Sequence, residues 1–217
     1  MVAKLAAEFL GTFLIVTTVL GAGFAQAALS ADPALGLLMI AIAVAGVLFV
    51  SISILGPVSG AHFNPIVSIA LLIKRTMNAT QTLLYVLFQL LGALAGAATA
   101  NLMFESAPTV SAVDRMGAGV FLGEVVASAG LVLIILLLIY FSKSNLIAPG
   151  VALWILAGHL FSSSTAFANP AVTIGRVFSE SPSSIAANSA LWFVGAQLIG
   201  LLIALLLYWV LVRKRVV

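Results

Sequence analysis

Cysteine is absent from this 217-residue sequence. That excludes disulfides, thiolate metal sites and thiol nucleophiles. Charge is nearly absent as well: Asp, Glu, Lys and Arg make up 7% of the chain, against about 25% in a soluble globular domain. Histidine occurs only at His62 and His159. From so few titratable groups no nucleophile–base pair and no metal cluster emerges, so neither an enzyme, a cofactor nor a metal is expected. The basic residues are scattered at the ends of apolar runs, which argues against nucleic acid as a partner. Short loops leave little surface for a structural membrane-junction role.

What the chain has is apolar surface. Hydrophobic residues make up 63% of it, with 18 glycines, and the mean hydropathy is +1.28. This is a polytopic membrane protein. A run of about 20 apolar residues crosses a bilayer, and six such runs are expected, over about 4–28, 35–56, 79–102, 117–141, 146–163 and 188–212. Turn chemistry separates them, including Asp32-Pro33, Gly56-Pro57 and Ser181-Pro182. Lys4 and Glu8 flank the first run with no cleavage site behind a short apolar region, so the run reads as a span, not a removed leader. With the amino terminus in the cytoplasm, that side of the inner (plasma) membrane takes Lys4, Lys74, Arg75, Lys143, Arg213, Lys214 and Arg215, and the other side takes Arg115 and Arg176. The asymmetry places both termini in the cytoplasm.

Two short stretches lie between spans and resemble each other. Ser59-Gly60-Ala61-His62-Phe63-Asn64-Pro65-Ile66-Val67-Ser68-Ile69 precedes span three; Thr165-Ala166-Phe167-Ala168-Asn169-Pro170-Ala171-Val172-Thr173-Ile174 precedes span six. In each, Asn is a favoured helix N-cap and Pro suits the first helical position, where its missing N–H costs nothing. About nine helical residues follow each Asn, or roughly 14 Å, half a bilayer. A helix that starts in mid-membrane must line a polar cavity, because its first N–H groups have no lipid partner.

The two halves repeat. Glu8 matches Glu124, Asn64 matches Asn169, and Gln89-Leu90-Leu91-Gly92 matches Gln197-Leu198-Ile199-Gly200. Three spans per half invert the second half, so the repeats cover about 1–104 and 117–217 of a single domain, and the half-helices meet tip to tip near the midplane. Two helix N-termini aimed at one point repel cations there, and the Asn amides add donors. Such a centre passes neutral solutes and rejects protons and cations. Glu8 and Glu124 have two readings: a proton relay, or braces that accept hydrogen bonds from the loops; their symmetry favours braces. Gln89 and Gln197 read as interhelix partners. His62 either lines the inner half of the pore or satisfies loop backbone. His159 reads as a buried hydrogen-bonding residue, and Gly92 with Gly96 as a close helix crossing.

With these motifs in view, the chain resembles the aquaporin family of major intrinsic proteins. The resemblance rests on Ala7-Glu8-Phe9-Leu10-Gly11, Ser59 to Pro65, Gln89 to Gly92 and Asn169-Pro170-Ala171. It implies six membrane helices plus two re-entrant half-helices, one pore per subunit, a homotetramer, and Asn64, Pro65, Asn169 and Pro170 at the pore centre. Two departures stand out. Ile66 replaces the usual Ala after the first Asn-Pro, and Val172 stands where the family has a filter Arg, three residues after the second Asn. Family spacing places the other filter positions at Val44, Ala157 and Ala166, with His159 two residues from Ala157 as the competing assignment. An apolar filter of this kind resembles a bacterial branch, often encoded beside arsenic-resistance genes, that is associated with arsenite and methylated arsenicals. Arg176 lies one turn beyond Val172, near the outer mouth. The expected function is passive passage of small neutral solutes: glycerol-like polyols, neutral metalloid species and water. A strict water channel and a proton-coupled transporter using Glu8 and Glu124 are the competing functions.

Overall fold

The structure, a computed structural model, describes residues 1–213. Lys214 and Arg215, which entered the charge count above, lie outside the described residues. Eight α-helices follow one another: α1 (Val2–Ala28), α2 (Pro33–Ser59), α3 (Pro65–Ile73), α4 (Ala79–Met103), α5 (Ala118–Tyr140), α6 (Ile147–Phe161), α7 (Pro170–Gly175) and α8 (Ala187–Arg213). Six segments are long and apolar enough to cross a membrane: α1, α2, α4, α5, α8 and the Ser144–Phe161 stretch that carries α6. The helices α3 and α7 are the two short ones. No strand occurs among the described residues. The chain is an integral, multi-pass, all-α membrane protein.

Local chemistry sets the helix starts. Asp32 accepts the Ala34 N–H at 2.9 Å, with Pro33 in the first turn of α2. Asn78 and Gln81 form a reciprocal capping box on α4. The ends differ from expectation in two places. Gly56-Pro57 does not end α2, which runs on to Ser59. Pro57 removes the donor that the Ser53 carbonyl would have received. Ser53 lines the central cavity, so this carbonyl is not stranded in lipid. The helix stops at Gly60, whose φ of 92° is left-handed and whose N–H caps Gly56 O at 2.9 Å. The second half-helix is also shorter than nine residues. It is α-helical for six, and Arg176–Phe178 then tighten into a 3₁₀ turn.

Packing repeats between the halves. The helix α1 lies against α4 as α5 lies against α8. Glycine permits both crossings. A Cβ on Gly96 of α4 would lie 2.6 Å from Phe13 O on α1, and one on Gly200 of α8 would lie 2.7 Å from Val125 O on α5. Thr17 Oγ1 donates to Gly96 O at 3.2 Å across the first crossing. The half-helix α3 packs on α4, α5 and α8, and α7 packs on α4, α8 and α1. Each half-helix therefore bridges the two halves of the chain. Large apolar side chains such as Leu83, Leu102, Leu153 and Leu191 remain exposed on the outside of the bundle. In a lipid-facing protein that is the expected inversion of a soluble surface.

Candidate functional site

The loops before the two half-helices build the centre of the molecule. Asn64 caps α3 by accepting the Ile66 N–H at 3.1 Å; Asn169 caps α7 by accepting the Ala171 and Val172 N–H groups at 3.0 and 3.3 Å. With Oδ1 committed to the cap, each amide nitrogen points across the molecular centre. Asn64 Nδ2 donates to Ala168 O at 2.7 Å, and Asn169 Nδ2 donates to Phe63 O at 2.8 Å. Each Asn thus holds the carbonyl of the residue just before the other. One amide hydrogen is spent on this clasp and the second remains, since Nδ2 carries two. Both Asn residues line a cavity of about 700 Å³. Pro65 and Pro170 sit buried at the first helical positions.

Holding these loops requires left-handed backbone at non-glycine residues. Ala61, Phe63, Ala166 and Ala168 have φ of 50°, 49°, 48° and 47°. Such conformations persist where the surroundings over-determine them. Here two buried carboxylates face the loops. Glu8 accepts from Ser59 Oγ at 2.6 Å, His62 N at 3.0 Å, Phe63 N at 2.7 Å and Gln89 Nε2 at 2.7 Å. Glu124 accepts from Phe167 N at 3.2 Å, from Ala168 N, and from Gln197 Nε2 at 2.8 Å. In both halves the same two loop positions are gripped. Each Gln spends its second amide hydrogen on its half-helix: Gln89 on Ser68 Oγ at 3.1 Å, Gln197 on Thr173 Oγ1 at 2.9 Å. Ser68 and Thr173 are both four residues after their Asn.

The cavity runs from Ser144 and Asn145 at one end to Arg176 at the other. Its wall is aliphatic, with Ile15 and Val19 from α1, Leu131 and Ile135 from α5, and Val151 and Ile155 from α6. Val44, Ala166 and Val172 line it together, all buried. Ala157 does not join them. It is exposed on the outer face of α6. Residues 151, 155 and 159 follow the four-residue stagger of one helix face, and that face is the one turned inward. Ile155 and His159 therefore take the place expected for Ala157. His159 Nδ1 lies 2.8 Å from Ile155 O. A carbonyl only accepts, so Nδ1 carries a proton, and in the neutral ring Nε2 is the acceptor. His62 also lines the cavity while its Nδ1 contacts Ser68 Oγ at 3.0 Å and its ring sits 5.1 Å from Tyr85. The ring thus lines the cavity and bonds a half-helix hydroxyl, and not the loop backbone.

Arg176 is buried and lines the cavity beyond Val172. Its Nε donates to Ser183 O at 2.5 Å, and its guanidinium carbon lies 3.3 Å from the centre of the Phe167 ring. Phe167 was not singled out in the sequence. It occupies the position of His62 in the matched motif, two residues before Asn, and that match is the signal that marks it. Outside the spans, Arg115 donates to Ser184 O and Pro182 O, both at 2.9 Å, and burial lowers its pKa. Its neighbour Asp114 is held below the usual carboxylate value by hydrogen bonds from Ser189 Oγ and Met116 N. No group of three His, Asp or Glu residues able to hold a metal occurs among the described residues.

Comparison with known proteins agrees with this architecture. The family profile described as "Major intrinsic protein" matches residues 1–146. "Aquaglyceroporin AqpS" of Rhizobium meliloti (strain 1021) is 42% identical over 211 residues, covering 96% of this chain and 90% of that protein. "Lens fiber major intrinsic protein" of Lithobates pipiens is 45% identical over 92 residues, 42% of this chain and 34% of its own. Among solved structures, the aquaglyceroporin from Plasmodium falciparum superposes with a TM-score of 0.74, covering 94% of this chain and 93% of that one. At 18% identity that last likeness speaks for the fold alone. The profile match and the near-full-length bacterial relative place this chain in the major intrinsic protein family.

Proposed function

We propose that this chain conducts neutral metalloid hydroxides, including methylated arsenicals, alongside glycerol-sized polyols and water. The coarser activity follows from the family: the protein is a membrane channel for small neutral solutes, not an enzyme. The finer reading rests on one observation, the apolar ring of Val44, Ala166 and Val172 on the cavity wall. A polar solute entering this ring loses water and finds no side-chain donor there, which costs free energy for every unpaired group. The penalty is smallest for solutes with methyl groups or few donors, and far larger for ions. Without a long side chain at residue 172 the ring also leaves room, so size cannot restrict passage to water. That disfavours a strict water channel.

Asn64 and Asn169, set by Pro65 and Pro170, are the donors at the pore centre, and exclusion of protons and cations arises there from the opposed half-helix dipoles. Val44, Ala166 and Val172 form the filter, with Ile155 and His159 contributed by α6 in place of Ala157. His62 lines the inner half, and Arg176 the outer mouth. Glu8, Glu124, Gln89 and Gln197 are braces. A relay carboxylate needs a vacant acceptor position to take up a proton. Glu8 already accepts four hydrogen bonds, which supports the bracing role over proton coupling. The halves about 1–104 and 117–217 are inverted repeats of one domain. The charge asymmetry supports an inner (plasma) membrane location with both termini cytoplasmic, and the family resemblance supports a homotetramer.

The test compares Val172→Arg with wild type in proteoliposomes holding equal amounts of protein, with water, glycerol and arsenite fluxes measured side by side. Arg narrows the ring and adds donors, so glycerol and arsenite fluxes should fall far more than water flux. Equal proportional losses for all three solutes would remove position 172 from the account of selectivity.

A further inference from the structure

The outer end of the cavity holds a buried cation that no carboxylate among the described residues bonds directly. Arg176 is buried at 4% exposure, and its one acceptor among the described residues is Ser183 O, taken by Nε. Its Nη groups meet no acceptor among the described residues, and the residue lines the cavity. Glu124 attracts it through space but does not bond it, because its oxygens face the Phe167 and Ala168 N–H groups and Gln197. A second guanidinium stands close by. Arg115 lies 5.5 Å from the same Phe167 ring and is fixed by the Pro182 and Ser184 carbonyls, on either side of the residue that holds Arg176. One short loop therefore anchors two cations; Asp114, next to Arg115, is turned to Ser189, and Glu180, four residues after Arg176, is exposed.

An unpaired buried charge is expensive and draws a counter-ion. A guanidinium held by Nε presents its remaining donors as a planar fork, which matches the oxygens of a small planar anion. We propose that the outer mouth is a binding site for small monovalent oxyanions, seated on the Arg176 fork, supported by Arg115, and that the bound anion obstructs the channel. The anion stops there. One turn further in, the ring of Val44, Ala166 and Val172 offers no donor to replace the fork, so moving inward would strip the charge of its pairing. A neutral solute faces no such loss and competes with the anion for the mouth. The channel is then slowed from outside by oxyanions that it does not carry.

Nitrate serves as the probe, being planar and fully ionised, with gluconate, too bulky for the fork, as the control at equal ionic strength so that screening is matched. Two readouts are needed. Glycerol uptake into proteoliposomes rests on the channel reading. Thermal stability of the purified protein does not, because any ligand of the folded state raises Tm. Nitrate should slow uptake saturably, by about twofold at its dissociation constant, and should raise Tm; gluconate should do neither. Arg176→Gln should remove both effects, and Arg115→Gln should weaken them. If Arg176→Gln does not fold, Arg176→Lys, which keeps the charge and loses the fork, should bind nitrate more weakly. Equal effects of nitrate and gluconate on wild type overturn the proposal, as does an undiminished nitrate effect in Arg176→Gln. Absence of any glycerol uptake would count against the channel reading instead, with the Tm arm still deciding the anion site.

Discussion

Replacing Glu124 with Gln tests whether this buried carboxylate braces the second loop or handles protons. Glu124 accepts from Phe167 N, Ala168 N and Gln197 Nε2. An amide has the same shape but only one acceptor oxygen, so in either orientation at least one loop N–H faces an NH2 group. An orphaned buried donor costs about 1–3 kcal/mol. The remaining bonds lose their charge assistance, a further loss of about 1 kcal/mol each. Burying a neutral amide instead of a carboxylate works in the opposite direction, so the net destabilisation is on the order of 2 kcal/mol. For a chain of this size that corresponds to a fall in Tm of roughly 5 °C. The assay is thermal denaturation of purified protein, paired with glycerol flux in proteoliposomes between pH 5 and 8. The bracing account expects lower Tm, lower folded yield and an unchanged solute ranking. It fails if Glu124→Gln keeps wild-type Tm, or if wild type shows a pH-dependent flux that this variant abolishes.

Three further outcomes are expected. Asn169→Asp keeps the cap on α7 but turns a carboxylate oxygen toward Phe63 O, so flux should fall several-fold or folding should fail; full flux with intact proton exclusion would remove Asn169 from the pore centre. Gly200→Ala should cost about 1–3 kcal/mol through overpacking, because its Cβ would lie 2.7 Å from Val125 O, whereas Gly195→Ala, with nothing within 4 Å, should be tolerated; equal Tm values for the two variants would refute the close crossing. Asp114 has a folded pKa below its unfolded value, owing first to Ser189, so its contribution is present above the unfolded pKa and is lost as pH falls through the folded one. Ser189→Ala also removes the acceptor of the Arg115 N–H at every pH, so it should lower stability throughout, and by more at pH 6 than in acid, as read by thermal melts across that range; an equal loss at all pH values would remove Asp114 from the account.

Legibility in the sequence followed the range of the interactions. The half-helix starts were readable because capping is local: Asn64-Pro65 and Asn169-Pro170 carry their own helix signals. The pairing of Glu8 with Glu124 and of Gln89 with Gln197 was visible because the halves repeat, so one half annotates the other. Facing along α6 was not. Ala157, Ile155 and His159 are all compatible with an apolar helix, and only packing against α2 and α5 decides which of them turns inward. Pro57 inside α2 was misread for a similar reason, since the cavity beside Ser53 tolerates a carbonyl that lipid would not. The stacking of Arg176 on Phe167 depends on a 3₁₀ turn and a loop carbonyl, neither of which leaves a pattern in composition or period.

The clasp at the centre also bears on how the protein is made. Asn64 and the carbonyl that it holds are 104 residues apart, and Asn169 and its partner are 106 apart. At a synthesis rate of about 5–20 residues per second, the first Asn waits on the order of 5–20 s for the residue that completes it. Throughout that interval its amide sits in a half-built bundle whose other wall has not been inserted. Water or the insertion machinery must hold it meanwhile, because lipid offers no acceptor. The polar centre is thus among the last parts to be assembled, and a ribosome that stalls midway leaves a span bundle with an open, hydrated seam for membrane quality control to recognise.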